Sequence, residues 1–91
     1  MAPGVFIFMV TVYILYSKSY DRLYIGLTTN IEQRLLSHNE LATKGYTIRY
    51  RPWILIHKEE YPDKTSALKR EKELKEGKGR EWIRKEFIEK L

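Results

Sequence analysis

An uncharged, largely apolar stretch of twelve residues at positions 5–16 constrains the fold of this chain more than any other feature. A membrane-spanning helix needs roughly 18 or more apolar residues, so this stretch is too short to cross a bilayer. No Lys or Arg precedes it and no small-residue cleavage site follows it, so it does not resemble a secretory signal. Its β-branched and aromatic residues predict a buried strand at residues 9–17, covered on both faces.

Turn and capping residues divide the next part of the chain into short elements. Residues 18–21 are of types that favour turns, and residues 22–27 are again mostly apolar. This pattern predicts an antiparallel hairpin. Asn30 with Gln33 resembles a capping box and predicts a helix over residues 31–39. The apolar run at residues 53–57 predicts a third strand, ended by the turn signal at residues 61–63.

Two glycines divide the C-terminal part. Asp63, Thr65 or Ser66 can cap a second helix, which we expect to end at Gly77 in the left-handed conformation. Gly79 is expected to open a last helix. Together the elements predict an α+β fold, a small three-stranded antiparallel sheet flanked by about three helices.

The length of 91 residues suits a single domain over residues 1–91, with residues 1–8 as a loose N-terminus. The chain has no cysteine, so neither a disulfide framework nor a thiolate zinc site can hold it together. We therefore expect a reducing compartment, the cytoplasm.

The charge balance favours a polyanionic partner. Seventeen Lys and Arg residues against twelve Asp and Glu give a net charge of +5, which suits nucleic acid, although a Lys/Glu-rich helix can also be merely solvated. Lys44, Arg49 and Arg51 alternate with tyrosines in a loop at residues 41–51. Lys78 and Arg80 lie where the last helix should begin, and free backbone N–H groups there would suit a phosphate. We expect these five residues to bind nucleic acid.

Two tyrosines should share one face of the sheet. Side chains alternate between the two faces of a strand, so Tyr13 lies on the opposite face from Val12 and Ile14. By the same alternation, Tyr24 and Gly26 share one face of the second strand. Tyrosines at such positions either pack against their neighbours in the sheet or take part in catalysis. Gly26 weakens a strand, and it is explained if another backbone or a ligand must come close.

The two histidines differ in their neighbours. Arg34 and His38 stand four residues apart, so they lie on one face of the first helix, as a functional pair or as a solvated arginine beside a surface histidine. His57 has no second metal ligand at a useful spacing, which favours a structural role.

Glu71 falls inside the apolar stripe of the second helix. At about 100° per residue it projects among Ala67, Leu68 and Leu74. A buried, unpaired carboxylate is costly, so Glu71 should have a cation, a metal or a raised pKa, unless its side chain extends to the rim of the stripe.

These motifs, in this order, resemble the GIY-YIG nuclease family. The residues that carry the resemblance are Val12-Tyr13-Ile14, Tyr24-Ile25-Gly26, Arg34 with His38, and Glu71. The resemblance covers most of the chain and is strongest to small free-standing bacterial members, with a similarity to the N-terminal catalytic domain of the bacterial excinuclease that implies DNA repair. It implies a metal-dependent endonuclease that hydrolyses phosphodiester bonds in nucleic acid, with DNA as the expected substrate.

The resemblance also implies roles for individual residues. Glu71 would bind a single Mg²⁺ or Mn²⁺, Arg34 would contact the scissile phosphate, and Tyr13, Tyr24 and His38 would surround the attacking water. A hard cation and a guanidinium stabilise the charge that develops on phosphate oxygens. A tyrosine with a pKa of about 10 is a poor base unless the metal and Arg34 lower its pKa or His38 removes its proton.

The chain departs from the family pattern at several positions. The first motif reads Val-Tyr-Ile instead of Gly-Ile-Tyr. Leu27 stands where some members have a lysine, so the resemblance implies that His38 performs the role of that lysine. No asparagine follows Asn39. With no separate DNA-recognition region, we expect weakly specific or structure-selective binding, or a protein partner that supplies specificity. The alternative is a non-catalytic nucleic-acid-binding or partner-docking module that retains the fold.

Overall fold

The computed structural model describes residues 9–91, so the expected loose N-terminus, residues 1–8, lies outside the described residues. The described chain forms one antiparallel sheet of β1 (Val10–Ser17), β2 (Arg22–Thr28) and β3 (Ile54–Tyr61) in the order β2-β1-β3. The central strand β1 is buried over residues 11–17, which confirms a strand covered on both faces. No helix within residues 9–91 is long and apolar enough to cross a membrane.

Within residues 9–91 three α-helices surround the sheet, and a short 3-10 helix (Tyr46–Tyr50) lies before β3, so the α+β prediction is confirmed. The α-helices are α1 (Ile31–Leu36), which continues as a π-helical turn (Ser37–Leu41), α2 (Lys64–Lys75), and α3 (Gly77–Ile83), which continues as a second π-helical turn (Arg84–Ile88). Asn30 caps α1 by accepting a hydrogen bond from the backbone N–H of Gln33 at 3.1 Å, and Asp63 caps α2 through Ser66 at 2.7 Å. In a full capping box the side chain of Gln33 would accept a hydrogen bond from the backbone N–H of Asn30. Here that N–H donates to Thr28 Oγ1 instead.

Alternation along β1 divides the core into two clusters, one on each face of the sheet. On one face α2 and α3 pack against Val12, Ile14 and Ile25 through Ala67, Leu74 and Ile83. On the other face Tyr13, Leu15 and Trp53 pack with Tyr24 and with Ile31 and Leu35 of α1. The helices therefore approach the sheet from opposite sides.

The junction between α2 and α3 differs from the sequence expectation. Gly77 is not left-handed; Glu76, with extended backbone (φ −76°, ψ 163°), separates the helices, and α3 begins at Gly77 instead of Gly79. A Cβ atom on Gly79 would lie 2.6 Å from Leu74 Cα. Gly79 therefore permits the close approach of the two helices, while the extended residue makes the turn.

The third strand is longer than expected. It pairs with β1 as far as Tyr61, instead of ending at His57. The extra residues include charged side chains, among them Glu59, which accepts hydrogen bonds from His57 and from Arg70. Local composition did not reveal those partners.

Candidate active site

A cleft of about 680 Å³ runs along the free edge of β2. All five residues from Leu23 to Leu27 line it, although alternate side chains of a strand point to opposite faces. This is possible because the cleft wraps around the edge strand, between α1 on one side of the sheet and α2 on the other. The other lining residues are Tyr13, Arg34, Lys64, Leu68, Glu71, Lys75 and Arg80.

One residue of the cleft lining, Tyr13, is hydrogen-bonded to a buried histidine, His38, which does not itself line the cleft. The hydroxyl of Tyr13 lies 2.9 Å from Nε2 of His38, and the rings of Tyr24 and His38 are 4.7 Å apart. Only 7% of His38 is exposed, so it is not an ordinary surface histidine. The sequence placed His38 on the same helix face as Arg34, but the depth of its burial depends on the loop that follows.

That loop fixes the orientation of the imidazole. Nδ1 of His38 lies 3.0 Å from the hydroxyl oxygen of Thr47, which is also buried. The indole N–H of Trp53 donates to the carbonyl oxygen of Thr47 at 2.7 Å. Asn39 clamps the backbone of Trp53 through two hydrogen bonds, of 2.9 and 2.6 Å. Thr47, Trp53 and Asn39 are positioning residues that the sequence did not single out.

Glycine at position 26 leaves room for Tyr13. The two residues are directly opposite each other in the β1–β2 ladder. A Cβ atom on Gly26 would lie 2.6 Å from the hydroxyl oxygen of Tyr13. The close neighbour of Gly26 is thus the side chain of Tyr13, where the sequence predicted another backbone or a ligand.

Burial moves the pKa values of the pair in opposite directions. Desolvation, followed by the neighbouring Tyr24, raises the pKa of Tyr13 well above its usual range, although Arg34 opposes the shift. Desolvation, followed by the charges of Arg34 and Arg51, lowers the pKa of His38. A protonated tyrosine therefore faces a neutral histidine at neutral pH, with Nε2 as acceptor when Nδ1–H donates to Thr47.

The charged side chains of the cleft come from three helices, with Arg34 on α1, Arg80 on α3 and the others on α2. Arg34 is exposed on α1, and no side chain within residues 9–91 forms a hydrogen bond or ion pair with its guanidinium. The Glu71 side chain is 20% exposed, and its carboxylate lies 3.6 Å from Nζ of Lys75. Glu71 thus reaches the wall of the cleft, and Leu68, expected inside the apolar stripe, is 45% exposed beside it.

Two lysines of the cleft went unnoticed in the sequence. Lys64, Leu68, Glu71 and Lys75 follow the spacing i, i+4, i+7 and i+11, which places them along one side of α2. The helical spacing of Lys64 and Lys75 from Glu71 could have predicted that these lysines lie on the same side of α2 as Glu71.

The five basic residues expected to bind nucleic acid lie in different places. Arg80 borders the cleft, whereas Lys44, Arg49 and Lys78 are exposed and do not line it. Arg51 donates from Nε to the carbonyl oxygen of His38, and from Nη2 to those of Ser37 and Ala42. These bonds tie Arg51 to two carbonyls of the π-helical turn and to the carbonyl of Ala42, the residue that follows it.

The family assignment follows from comparison with known proteins. Residues 9–85, which carry every element of the cleft, match the family model described as the GIY-YIG catalytic domain. This chain belongs to the GIY-YIG family. It is also 41% identical over 64 residues to a UPF0213 protein of Staphylococcus haemolyticus, covering 70% of this chain and 77% of that protein. A UPF0213 protein of Natronomonas pharaonis is 39% identical over 64 residues, covering 70% and 74%.

GIY-YIG membership places the chain in a nuclease family that acts on nucleic acid and generally uses divalent metal ions. Within residues 9–91 no group of three or more histidine, cysteine or acidic side chains could hold a metal. Mg²⁺ does not need such a group, because it keeps several waters and takes ligands from substrate phosphates. Glu71, a hard oxygen ligand at the wall of a basic cleft, fits a metal site of this kind.

Proposed function

We propose that this GIY-YIG protein is an endonuclease that hydrolyses phosphodiester bonds in DNA. One observation supports the proposal most strongly. Tyr13, whose hydroxyl is hydrogen-bonded to buried His38, lines the same cleft as Arg34 and Glu71, which bring a cation and a hard oxygen ligand to one site. A phosphodiesterase needs a base, a cation for the phosphate and a metal ligand in such proximity.

Tyr13 and His38 would share one proton transfer. The raised pKa of Tyr13 makes an isolated tyrosinate costly at neutral pH. Neutral His38, 2.9 Å away, can accept the phenolic proton through Nε2 as the phenolic oxygen takes a proton from the attacking water. The ring of Tyr24 packs against both partners and restricts where that water can lie.

Arg34 and Glu71 would act on the phosphate. The guanidinium of Arg34 can donate two parallel hydrogen bonds to non-bridging oxygens, whose charge grows in the transition state. Glu71 would hold Mg²⁺ or Mn²⁺, which supplies Lewis acidity for the scissile phosphate. Arg80, Lys64 and Lys75 add positive charge around the same cleft and would attract the polyanion.

Other features of the proposal follow from composition. The net charge of +5 and the absence of cysteine support a nucleic-acid partner and a cytoplasmic location. Lys44, Arg49 and Lys78 would add contacts to phosphates outside the cleft. We assign Arg51 to loop stabilisation instead, because its Nε and Nη2 donate to three backbone carbonyls.

Cleavage of a mixed panel of nucleic acids tests the proposal. Labelled plasmid, branched DNA, single-stranded DNA and RNA are incubated with Mg²⁺, with Mn²⁺ and with EDTA. We expect cleavage of DNA that needs the metal and disappears in the Glu71→Gln variant. Binding without cleavage under every condition would overturn the proposal in favour of a non-catalytic module.

A further inference from the structure

A second groove opens from the cleft at the start of β2. Its volume is about 270 Å³, and its lining includes Leu23 and Arg80, which also line the cleft. The two cavities are therefore adjacent along the edge of the sheet. The remaining lining residues are Asp21, Arg22, Tyr46 and Arg84.

Positive charge dominates this groove. Asp21 is its one acidic lining residue, and it accepts hydrogen bonds from Arg84 at 3.1 Å and from Tyr16 at 2.9 Å. Arg22 and Arg80 form no ion pair within residues 9–91. Two guanidinium groups without a carboxylate partner thus face a groove that leads to the proposed scissile phosphate.

An aromatic ring forms another wall of the groove. Tyr46 is 48% exposed, and its ring lies 4.8 Å from that of Tyr50 and 6.3 Å from that of Trp53. Tyr50 in turn lies beneath the guanidinium of Arg22, at 5.2 Å. The ring of Tyr46 is therefore supported from behind while half of its side chain remains open to solvent.

We propose that this groove binds the nucleotide next to the scissile phosphate, with an unpaired base stacked on Tyr46 and its phosphate on Arg22 and Arg80. The position of the scissile phosphate rests on the function proposed above. Aromatic side chains stack on bases of any sequence, and arginines bind phosphate through paired donors. A base inside a duplex already stacks on both neighbours, so the groove favours substrates that are single-stranded at this nucleotide.

Tyr20 provides a matched control for Tyr46. It is 53% exposed and packs edge-on against the same Tyr50 ring at 5.4 Å, but it does not line the groove. Replacing either tyrosine with alanine removes one exposed ring from the same aromatic group. Only the loss of Tyr46 should affect the bound nucleotide.

Binding of fluorescent oligonucleotides in EDTA tests the proposal without any cleavage step. We expect Tyr46→Ala to weaken binding of a single strand by on the order of tenfold, the range of one lost base stack, and to change duplex binding little. Tyr20→Ala and Tyr46→Phe should bind like the parent protein. Equal losses on single strand and duplex, or no loss in Tyr46→Ala, would overturn the proposal.

A scan with single abasic sites identifies the stacked base. At one position the abasic site should weaken binding by the parent protein but not by Tyr46→Ala, since both changes remove the same stack. Independent losses at every position would contradict the proposal. If Tyr46→Ala melts at a much lower temperature than the parent, single-strand binding is compared between Tyr46→Leu and Tyr46→Phe instead. Both variants keep an apolar side chain at this position, and only Tyr46→Phe keeps an aromatic ring.

These results are separable from the function proposed above. Tyr46-dependent binding with no metal-dependent cleavage would reject the nuclease and keep the groove. Glu71-dependent cleavage with unchanged binding in Tyr46→Ala would reject the groove alone.

Discussion

Two clusters in this molecule contain the same four residue types and have different structures. The first, which we call the cleft cluster, consists of Tyr13, Arg34 and Glu71, which line the cleft, and of His38, which is hydrogen-bonded to Tyr13. The second, which we call the β3 cluster, consists of Tyr61, His57, Arg70 and Glu59 at the other edge of the sheet. Composition alone does not distinguish them, so the difference must come from how the groups are paired.

In the β3 cluster the carboxylate satisfies every other member. Glu59 accepts hydrogen bonds from Arg70 at 2.8 and 3.1 Å, from Tyr61, and from His57 at 2.8 Å. Burial would raise the pKa of Glu59, but the bonds from Arg70, Tyr61 and His57 outweigh it and lower the pKa to about 2. His57 also stacks on Phe87 at 4.7 Å, which agrees with the structural role expected from the sequence.

In the cleft cluster the arginine and the carboxylate are paired with no other member of the cluster. Tyr13 and His38 share a hydrogen bond, but Arg34 has no side-chain partner within residues 9–91, and Glu71 is paired with Lys75 instead. Polar groups in folded proteins are usually satisfied, so an arginine without a side-chain partner in a cleft supports the ligand site proposed above. We therefore propose that the β3 cluster stabilises the fold and that the cleft cluster carries out the proposed chemistry.

The largest effect that separates the two clusters should come from their arginines. Arg34→Ala should lower turnover by on the order of 10²–10³ at every pH, because transition-state charge stabilisation is lost whatever the protonation of the base. Arg70→Ala should lower the melting temperature and leave turnover nearly unchanged. Single-turnover cleavage rates and thermal unfolding of both variants check this, and equal rate losses would remove the distinction.

The tyrosine–histidine pair of the cleft should act as one unit. Tyr13→Phe and His38→Ala should each slow the chemical step by on the order of 10², and the double variant should lose little more, since they relay one proton. The parent rate should rise with pH as His38 loses its proton, and burial lowers the pKa of His38, so the rise should finish below neutral pH. Single-turnover rates across pH measure both effects; additive losses with an unchanged pH profile would place the base elsewhere.

The smallest effect concerns stability in acid. The pKa of Glu59, lowered in the folded state to about 2, stabilises the fold above the usual glutamate pKa of about 4.5, and the benefit disappears as pH falls from about 5 to 2. Glu59→Gln should cost on the order of 2 kcal/mol of unfolding free energy at pH 7 and should flatten this acid dependence. Urea unfolding at pH 7 and pH 3 measures it. An identical acid dependence in parent and variant would assign the acid lability to other groups.

The sequence predicted the sheet, the three helices and the face shared by Tyr13, Tyr24 and Gly26, because strand alternation and capping are local. It also placed Glu71 beside apolar residues, since helical spacing is local too. It could not show that Thr47, itself bonded by Trp53, would form a hydrogen bond with buried His38, because those contacts join residues from separate elements. For the same reason the sequence predicted that Arg51 binds nucleic acid, whereas its guanidinium donates to backbone carbonyls up to 14 positions away.

The most direct test of the central claim is a matched pair of glutamate variants, one from each cluster. Glu71→Gln and Glu59→Gln each remove one charge with almost no change in shape, and Mn²⁺ binding is measured beside single-turnover DNA cleavage. We predict that Glu71→Gln loses metal binding and cleavage while its melting temperature stays the same or rises, since a neutral amide is easier to bury. We predict that Glu59→Gln keeps both activities and melts at a lower temperature. Full cleavage by Glu71→Gln, or equal loss in the two variants, would contradict the account.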